Sequence, residues 1–394
     1  MSTFENPSPE ERQAIEELRS RIENDLSHEL KTDKTLYYRF LKARDFNVDQ
    51  AEAMLRKHIT WRKASQIENI LNWKYQDVIT NYITSSPIGF DKEGSPVRYW
   101  PVGNLDLKGI AKTIKVSEAV RLVIYACELD LKLMKERNAK LGKSATQCAY
   151  IYDLEHLTFS KATDKDFLET SLMGLNIFQD NYPERVKAIY VINASVYFTI
   201  LFSVIKTVLA GALIKKIRVF GTDGWREALL KDIDEEELPA FLGGKKTDPD
   251  GNPLCKTLIM HGGLIPKSYY RTKTKSLSQN PEAQKLVVNR LSKAELELEV
   301  QEPGYFIQWE FETQSHDIGI GLFYKDPTDN KRTLETLVPS QRIDTTLGTE
   351  TGMYKCENIG TYILVFDNSY SWLHSKEVYC IANVVKPSFE NNNL

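Results

Sequence analysis

Apolar positions along this chain recur with a period that changes twice. Up to about residue 72 the spacing is helical. Leu36, Phe40 and Leu41 fall on one side of a helix starting after Thr32-Asp33, with Arg39, Lys42 and Arg44 on the other side as a solvated basic face. A further helix follows Asn47 and aligns Ala51, Met54, Leu55, His58 and Ile59, so His58 reads as a structural histidine. Ahead of both, Ser8-Pro9-Glu10-Glu11 combines an N-cap, a first-turn proline and a capping-box glutamate. From residue 74, short apolar runs at 96–102, 148–152, 188–192 and 217–220 alternate with helical stretches. Runs apolar on both sides, joined by helical crossovers, predict a mostly parallel α/β sheet. Phe90-Asp91-Lys92-Glu93-Gly94 marks a hairpin, and Ser117 starts a long helix to about Lys140. Thr222 and Asp234 start further helices, and Gly243-Gly244 stops the last one. After about residue 282 the period is two: Tyr305, Ile307, Trp309 and Phe311 share one face, with Gln308, Glu310 and Glu312 on the other. Further strands at 318–324, 361–367 and 378–385 predict a β-sandwich.

One stretch, 182–221, stands apart. No charged residue lies between Lys187 and Lys206. The length approaches that of a membrane span, which needs about 18–20 apolar residues. The pattern divides it, however, into a strand at 188–192, an N-cap at Asn193 and a helix at 196–210. Thr199, Ser203 and Lys206 form one thin polar stripe on that helix; its other faces carry Phe198, Leu201, Phe202, Ile205 and Val208, among others. Such a helix is either an ordinary core helix or a lid over a lipid-sized cavity. Both readings stay open on periodicity alone.

Composition narrows the class. The 394 residues, 42% hydrophobic and 27% charged, suit a multidomain globular protein. The net charge of −3 gives no basic field for nucleic acid. The amino terminus has no basic and apolar signal region, so a cytoplasmic location is expected. Cys127, Cys148, Cys255, Cys356 and Cys380 never pair as CxxC and read as reduced thiols. The domains expected are a helical segment at 1–72, an α/β domain at 74–247, a linker at 248–274 and a β-sandwich at 275–387.

Catalytic patterns are missing. Gly142-Lys143-Ser144 ends like a phosphate-binding loop, but Arg137 stands where its first glycine belongs and a helix precedes it. Asp248, Asp250 and Asn252 begin like a calcium loop, but glycine falls fourth and Ile259 twelfth, so no metal is assigned. No cofactor and no enzymatic activity are expected. Arg271-Thr272-Lys273-Thr274-Lys275 reads as linker, and the tail at 390–393 as disordered. The remaining chemistry brackets the apolar stretch: Glu184 and Arg185 before it, Lys215, Lys216 and Arg218 after it. They are either surface ion pairs or a polar site beside an apolar cavity, where a glutamate accepts from hydroxyls and a lysine binds phosphate.

Residues 35–62, TLYYRFLKARDFNVDQAEAMLRKHITWR, resemble the helical N-terminal segment of CRAL-TRIO lipid-transfer proteins. Tyr150 to Leu154, Asn181-Tyr182-Pro183-Glu184-Arg185 and Lys216-Ile217-Arg218-Val219-Phe220-Gly221 resemble that family's sheet and lid. Residues 360–378 look like a GOLD (Golgi dynamics) β-sandwich, and TDPDGNPLC with GGLIPKSYY resembles the branch of supernatant protein factor and tocopherol-associated proteins. The resemblance implies a non-enzymatic carrier with transient peripheral membrane contact and a protein partner through the GOLD module. It implies a headgroup site at Glu184, Lys216 and Arg44. A pocket and lid are implied at Cys148, Tyr150, Tyr190, Phe198, Leu201, Phe202, Ile205 and Val208. Leu213 replaces the threonine common in phosphatidylinositol binders, and Cys148 and Tyr150 replace the small hydroxyl residues of phosphatidylcholine binders. The ligand expected is phosphatidylinositol, or an isoprenoid such as tocopherol or squalene. The alternative is an adaptor whose GOLD module recruits partners while lipid only regulates.

Overall fold

The computed structural model describes residues 6–271, 276–315, 317–327, 334–345 and 348–386. Lys273, Lys275 and the tail at 390–393 lie outside these. The chain divides into two compact units: Met1–Ile59, Ile67–Ala111 and Glu118–Tyr269 form the first, and Thr60–Gln66, Lys112–Ser117 and Tyr270–Leu394 the second.

The first unit opens with four helices, α1 (Pro9–Ile22), α2 (His28–Thr32), α3 (Leu36–Lys42) and α4 (Val48–Ala64). Ser8 accepts from the Glu11 amide and Glu11 returns the bond, so the capping box forms. Leu18, Leu36, Phe40, Leu41, Ala51 and Leu55 are fully buried where these helices meet. His58 is buried as well, its Nδ1 3.1 Å from the Asn181 side-chain oxygen.

Next come α5 (Asp77–Tyr82), β1 (Ser86–Phe90) and β2 (Pro96–Trp100), then α6 (Leu107–Thr113), α7 (Val116–Leu141) and β3 (Cys148–Asp153). Short α8 (Phe159–Ala162) and long α9 (Lys165–Asn181) lead to β4 (Val186–Ile192). The unit continues with α10 (Val196–Ile205), α11 (Gly211–Ile214), β5 (Ile217–Val219) and α12 (Trp225–Asp232). The sheet order is β1-β2-β3-β4-β5, with only the β1–β2 hairpin antiparallel. Ile151, Ala188, Tyr190 and Ile192 face Trp225, Leu229 and Ile233 on one side of it. Cys255 and Ile259 join this same core, so part of the stretch expected as linker is packed structure.

Local expectations shift at three points. Asn193 does not cap α10: Ser195 precedes the helix, and Asn193, at φ 54°, donates to Asp153 on β3. The apolar helix expected to residue 210 stops at Ile205, and a turn leads to α11. No helix follows Asp234; turns run to a 3₁₀ segment at Ala240–Leu242, stopped by left-handed Gly243.

The second unit holds β6 (Gln284–Val288), β7 (Lys293–Val300), β8 (Phe306–Thr313), β9 (Asp317–Lys325), β10 (Leu334–Asp344), β11 (Glu350–Lys355), β12 (Gly360–Asp367) and β13 (Lys376–Val385). They pair antiparallel into two four-stranded sheets, β10-β9-β12-β7 and β11-β8-β13-β6. Ile307, Phe311, Leu322, Leu364, Phe366 and Val378 fill the space between the sheets, as the period-two pattern requires. All five cysteines are buried and outside any disulfide. Among the described residues no helix is long and apolar enough to cross a membrane, and no side-chain group has the makings of a metal site.

Candidate functional site

The turn Tyr182-Pro183-Glu184-Arg185 joins α9 to β4. Glu184 adopts φ 58°, a left-handed conformation that costs a non-glycine residue about 1–2 kcal/mol. Its surroundings hold it there. Gln147 donates to the Glu184 carbonyl at 2.9 Å, Arg39 to the Pro183 carbonyl at 3.1 Å, and Arg185 to the Thr146 carbonyl at 2.9 Å. Asp33 bridges the two guanidiniums, 2.7 Å from each. Burial would raise the Asp33 carboxyl; Arg39 and Arg185 override it and hold the group well below the usual carboxylate range. Burial, reinforced by Arg185, brings Arg39 down to about 10 despite Asp33. Arg39 therefore departs from the solvated face expected of it: it is 7% exposed and ties the N-terminal helices to the turn.

Held this way, Glu184 places one carboxylate oxygen between two ammonium groups. Oε2 lies 3.3 Å from Lys42 Nζ and 3.6 Å from Lys216 Nζ. Lys216 also donates to the Val186 carbonyl at 2.7 Å. Its pKa is lowered, first by burial; Lys42 adds to the fall and Glu184 opposes it. Two cations and one anion leave a net positive charge. Glu184 and Lys216, expected as partners, are brought together. Arg44 is not: its guanidinium folds back onto the Ala43 carbonyl at 2.9 Å, and its field acts on Asp180. Lys42 takes that place. It ends α3, whereas Arg44 lies past the C-cap Ala43, where Asp45 and Phe46 turn left-handed.

The apolar side of the site is the sheet face opposite α12. Trp100 and Tyr152 stack with centroids 5.8 Å apart, and Tyr152, Ile189 and Val191 share this face with Leu201, Phe198 and Ile205 of α10. Phe198 stacks on Phe202 at 5.3 Å. Tyr150, in register with Ile189, meets Phe178 of α9 edge-on. Cys148 is buried beside the Arg98–Asp130 pair, and burial pushes its thiol up. Val208 lies beyond α10, in a turn clamped by Gln179, which donates to the Val208 carbonyl and accepts from the Ala210 amide. Tyr190 is not brought to this group. Strand alternation turns it to the other face, where its hydroxyl donates to Asp232 and accepts from Arg218 at 3.0 Å.

The unit thus combines a helical N-terminal segment with a mixed five-stranded sheet that is apolar on both faces, one of them covered by an apolar helix. Residues 80–244 match the CRAL/TRIO domain and residues 4–57 the CRAL/TRIO N-terminal domain, together more than half of the chain. The chain belongs to the CRAL/TRIO family of lipid-binding transfer proteins. It is 27% identical over 344 residues to protein ctg-1 of Caenorhabditis elegans, covering 86% of this chain and 88% of that one. It is 30% identical over 272 residues to protein real-time of Aedes aegypti, covering 68% of this chain but 40% of that longer protein. The crystal structure of Sfh5 superimposes with a TM-score of 0.49 at 19% identity, over 66% of this chain and 94% of that one.

Proposed function

We propose that the first unit takes up a lipid with its hydrocarbon part between the apolar sheet face and α10, and its polar head at Glu184, Lys42 and Lys216. The protein then carries or presents that lipid between membranes, as a cytoplasmic protein in transient peripheral contact with them. The observation that carries this reading is the Glu184 carboxylate shared by two lysines at a strained turn. Backbone strain of that kind persists only where the surroundings over-determine it, and it clusters at functional sites. The net positive charge favours a phosphorylated head such as that of phosphatidylinositol. Leu213, 9% exposed and buried near this end, keeps a tocopherol-like or squalene-like isoprenoid as the second ligand class. The stretch 360–378, within a sandwich of two antiparallel sheets, supports reading the second unit as a GOLD module that offers a surface to protein partners.

Extracting and identifying the lipid that copurifies with the chain tests the ligand class; a purified protein free of lipid counts against it. Glu184→Ala with Lys216→Ala is expected to weaken phosphatidylinositol binding at least about 100-fold, since each charge-assisted bond contributes about 1.5–3 kcal/mol. Binding of a non-phosphorylated isoprenoid should be unchanged. Equal loss of both ligands would make the pair structural. Lys42→Ala should reproduce part of the loss while Arg44→Ala does not, as titration with phosphatidylinositol vesicles would show.

A further inference from the structure

The most exposed large apolar side chains of the second unit, among the described residues, are neighbours in sequence. Trp372 is 75% and Leu373 79% exposed, at the crest of the loop joining β12 to β13. A third, Leu291, is 53% exposed on the turn joining β6 to β7 and has a left-handed φ of 57°. The two loops are bonded to each other. The Leu291 amide donates to the Ser371 carbonyl at 3.1 Å, and the Asn368 amide to the Ser292 carbonyl at 2.8 Å. From a fully buried position the Asn368 side chain donates to the carbonyls of Val288, Asn289 and His374. Below the crest, Tyr370 is fixed by its hydroxyl on Asp317 and by Lys376, with the Arg342 guanidinium 4.0 Å from its ring centre.

A floppy loop would fold its tryptophan and leucine back onto the sandwich. This one is braced from beneath and holds both side chains outward. We propose that the crest is a membrane-docking element, which inserts Trp372 and Leu373, flanked by Leu291, into the interface of an anionic bilayer.

Three observations favour a bilayer over a protein as the occupant. First, the exposed apolar patch is small. A stable protein interface takes about 800 Å² from each partner, whereas two side chains offer a few hundred at most. That suffices for a wedge reaching about 5–10 Å into the headgroup boundary. Second, tryptophan beside leucine matches that boundary, because the indole is apolar in body and polar at its N–H. Third, the charges fit. Neither loop, 289–292 or 368–375, contains an aspartate or glutamate, and Arg290, next to Leu291, is exposed. Nothing acidic on the two loops repels an anionic surface, and Arg290 is attracted to it. All of these residues belong to the second unit.

The test uses the full chain with phosphatidylcholine–phosphatidylserine vesicles. Trp372→Ala with Leu373→Ala should lower vesicle cosedimentation about tenfold or more. Both side chains are exposed, so the thermal melt should not move. Arg290→Glu should weaken binding to the anionic vesicles and leave pure phosphatidylcholine vesicles unaffected. If the first unit also holds the membrane, quenching by brominated lipids isolates the crest. The chain has six tryptophans, and Trp372→Phe should remove a quenched component from its emission. Unchanged cosedimentation together with unchanged quenching would overturn the proposal. So would loss of a protein partner in the double variant while vesicle binding persists.

Discussion

Replacing Asp33 with alanine is expected to lower the unfolding free energy of the CRAL/TRIO unit by about 3–5 kcal/mol, the usual cost of breaking a buried ion pair from one side. The loss is large because Arg39 and Arg185 would remain side by side in the interior, their side chains 8% and 7% exposed, with no shared anion. A urea titration would read it as a lower midpoint. The same group sets a pH dependence. The folded pKa of Asp33 is depressed below the unfolded value of about 3.9. Its contribution is therefore fully present above the ordinary carboxylate range, and is lost as pH falls below about 4 towards the depressed folded value. The variant should lack that acid-side loss. It should also bind phosphatidylinositol more weakly, since Arg39 and Arg185 fix both sides of Glu184. A variant as stable as the parent between neutral pH and pH 3 would show that the cluster is solvated.

Phe198→Asp has the second large expected effect, on transport rather than stability. The side chain packs only partly buried against the cluster beneath α10 and stacks on Phe202, so the fold should survive a carboxylate there. On the ligand side the cost is severe. An acyl chain of some sixteen carbons gains over ~10 kcal/mol from enclosure, at ~0.8 kcal/mol per CH₂. A charge on the enclosing helix cancels much of that gain. Transfer between vesicles should fall more than tenfold, as a fluorescent-lipid assay would show. Transfer at the parental rate would remove α10 from the lid role.

Much of the architecture is legible in the periods. The capping box at Ser8 and Glu11, the strands β2 to β5 and the alternating β8 follow from local spacing, because caps and strand faces involve residues within a few positions of one another. The sheet face of Tyr190 was legible in principle. It alternates with Ile189 and Val191, so it cannot share their surface with Tyr150. The apolar character of Tyr190 masked that parity, and only its contacts with Asp232 and Arg218 make its place plain.

The sequence by itself determined the class of protein: a helical segment, a parallel α/β sheet, one uncharged stretch bracketed by Glu184 and Lys216, and a strand-only remainder. These depend on short-range periodicity and composition, which a linear reading retains. Tertiary structure alone decided which cations meet Glu184 and which arginine is buried. Lys42 rather than Arg44 reaches Glu184, because α3 ends between them. Arg39 leaves the polar face of its helix because Asp33 and the Pro183 carbonyl accept from it, the latter from far along the chain. Charges pair by distance in space, and the burial that makes such a pair strong exists only once distant segments have packed around it.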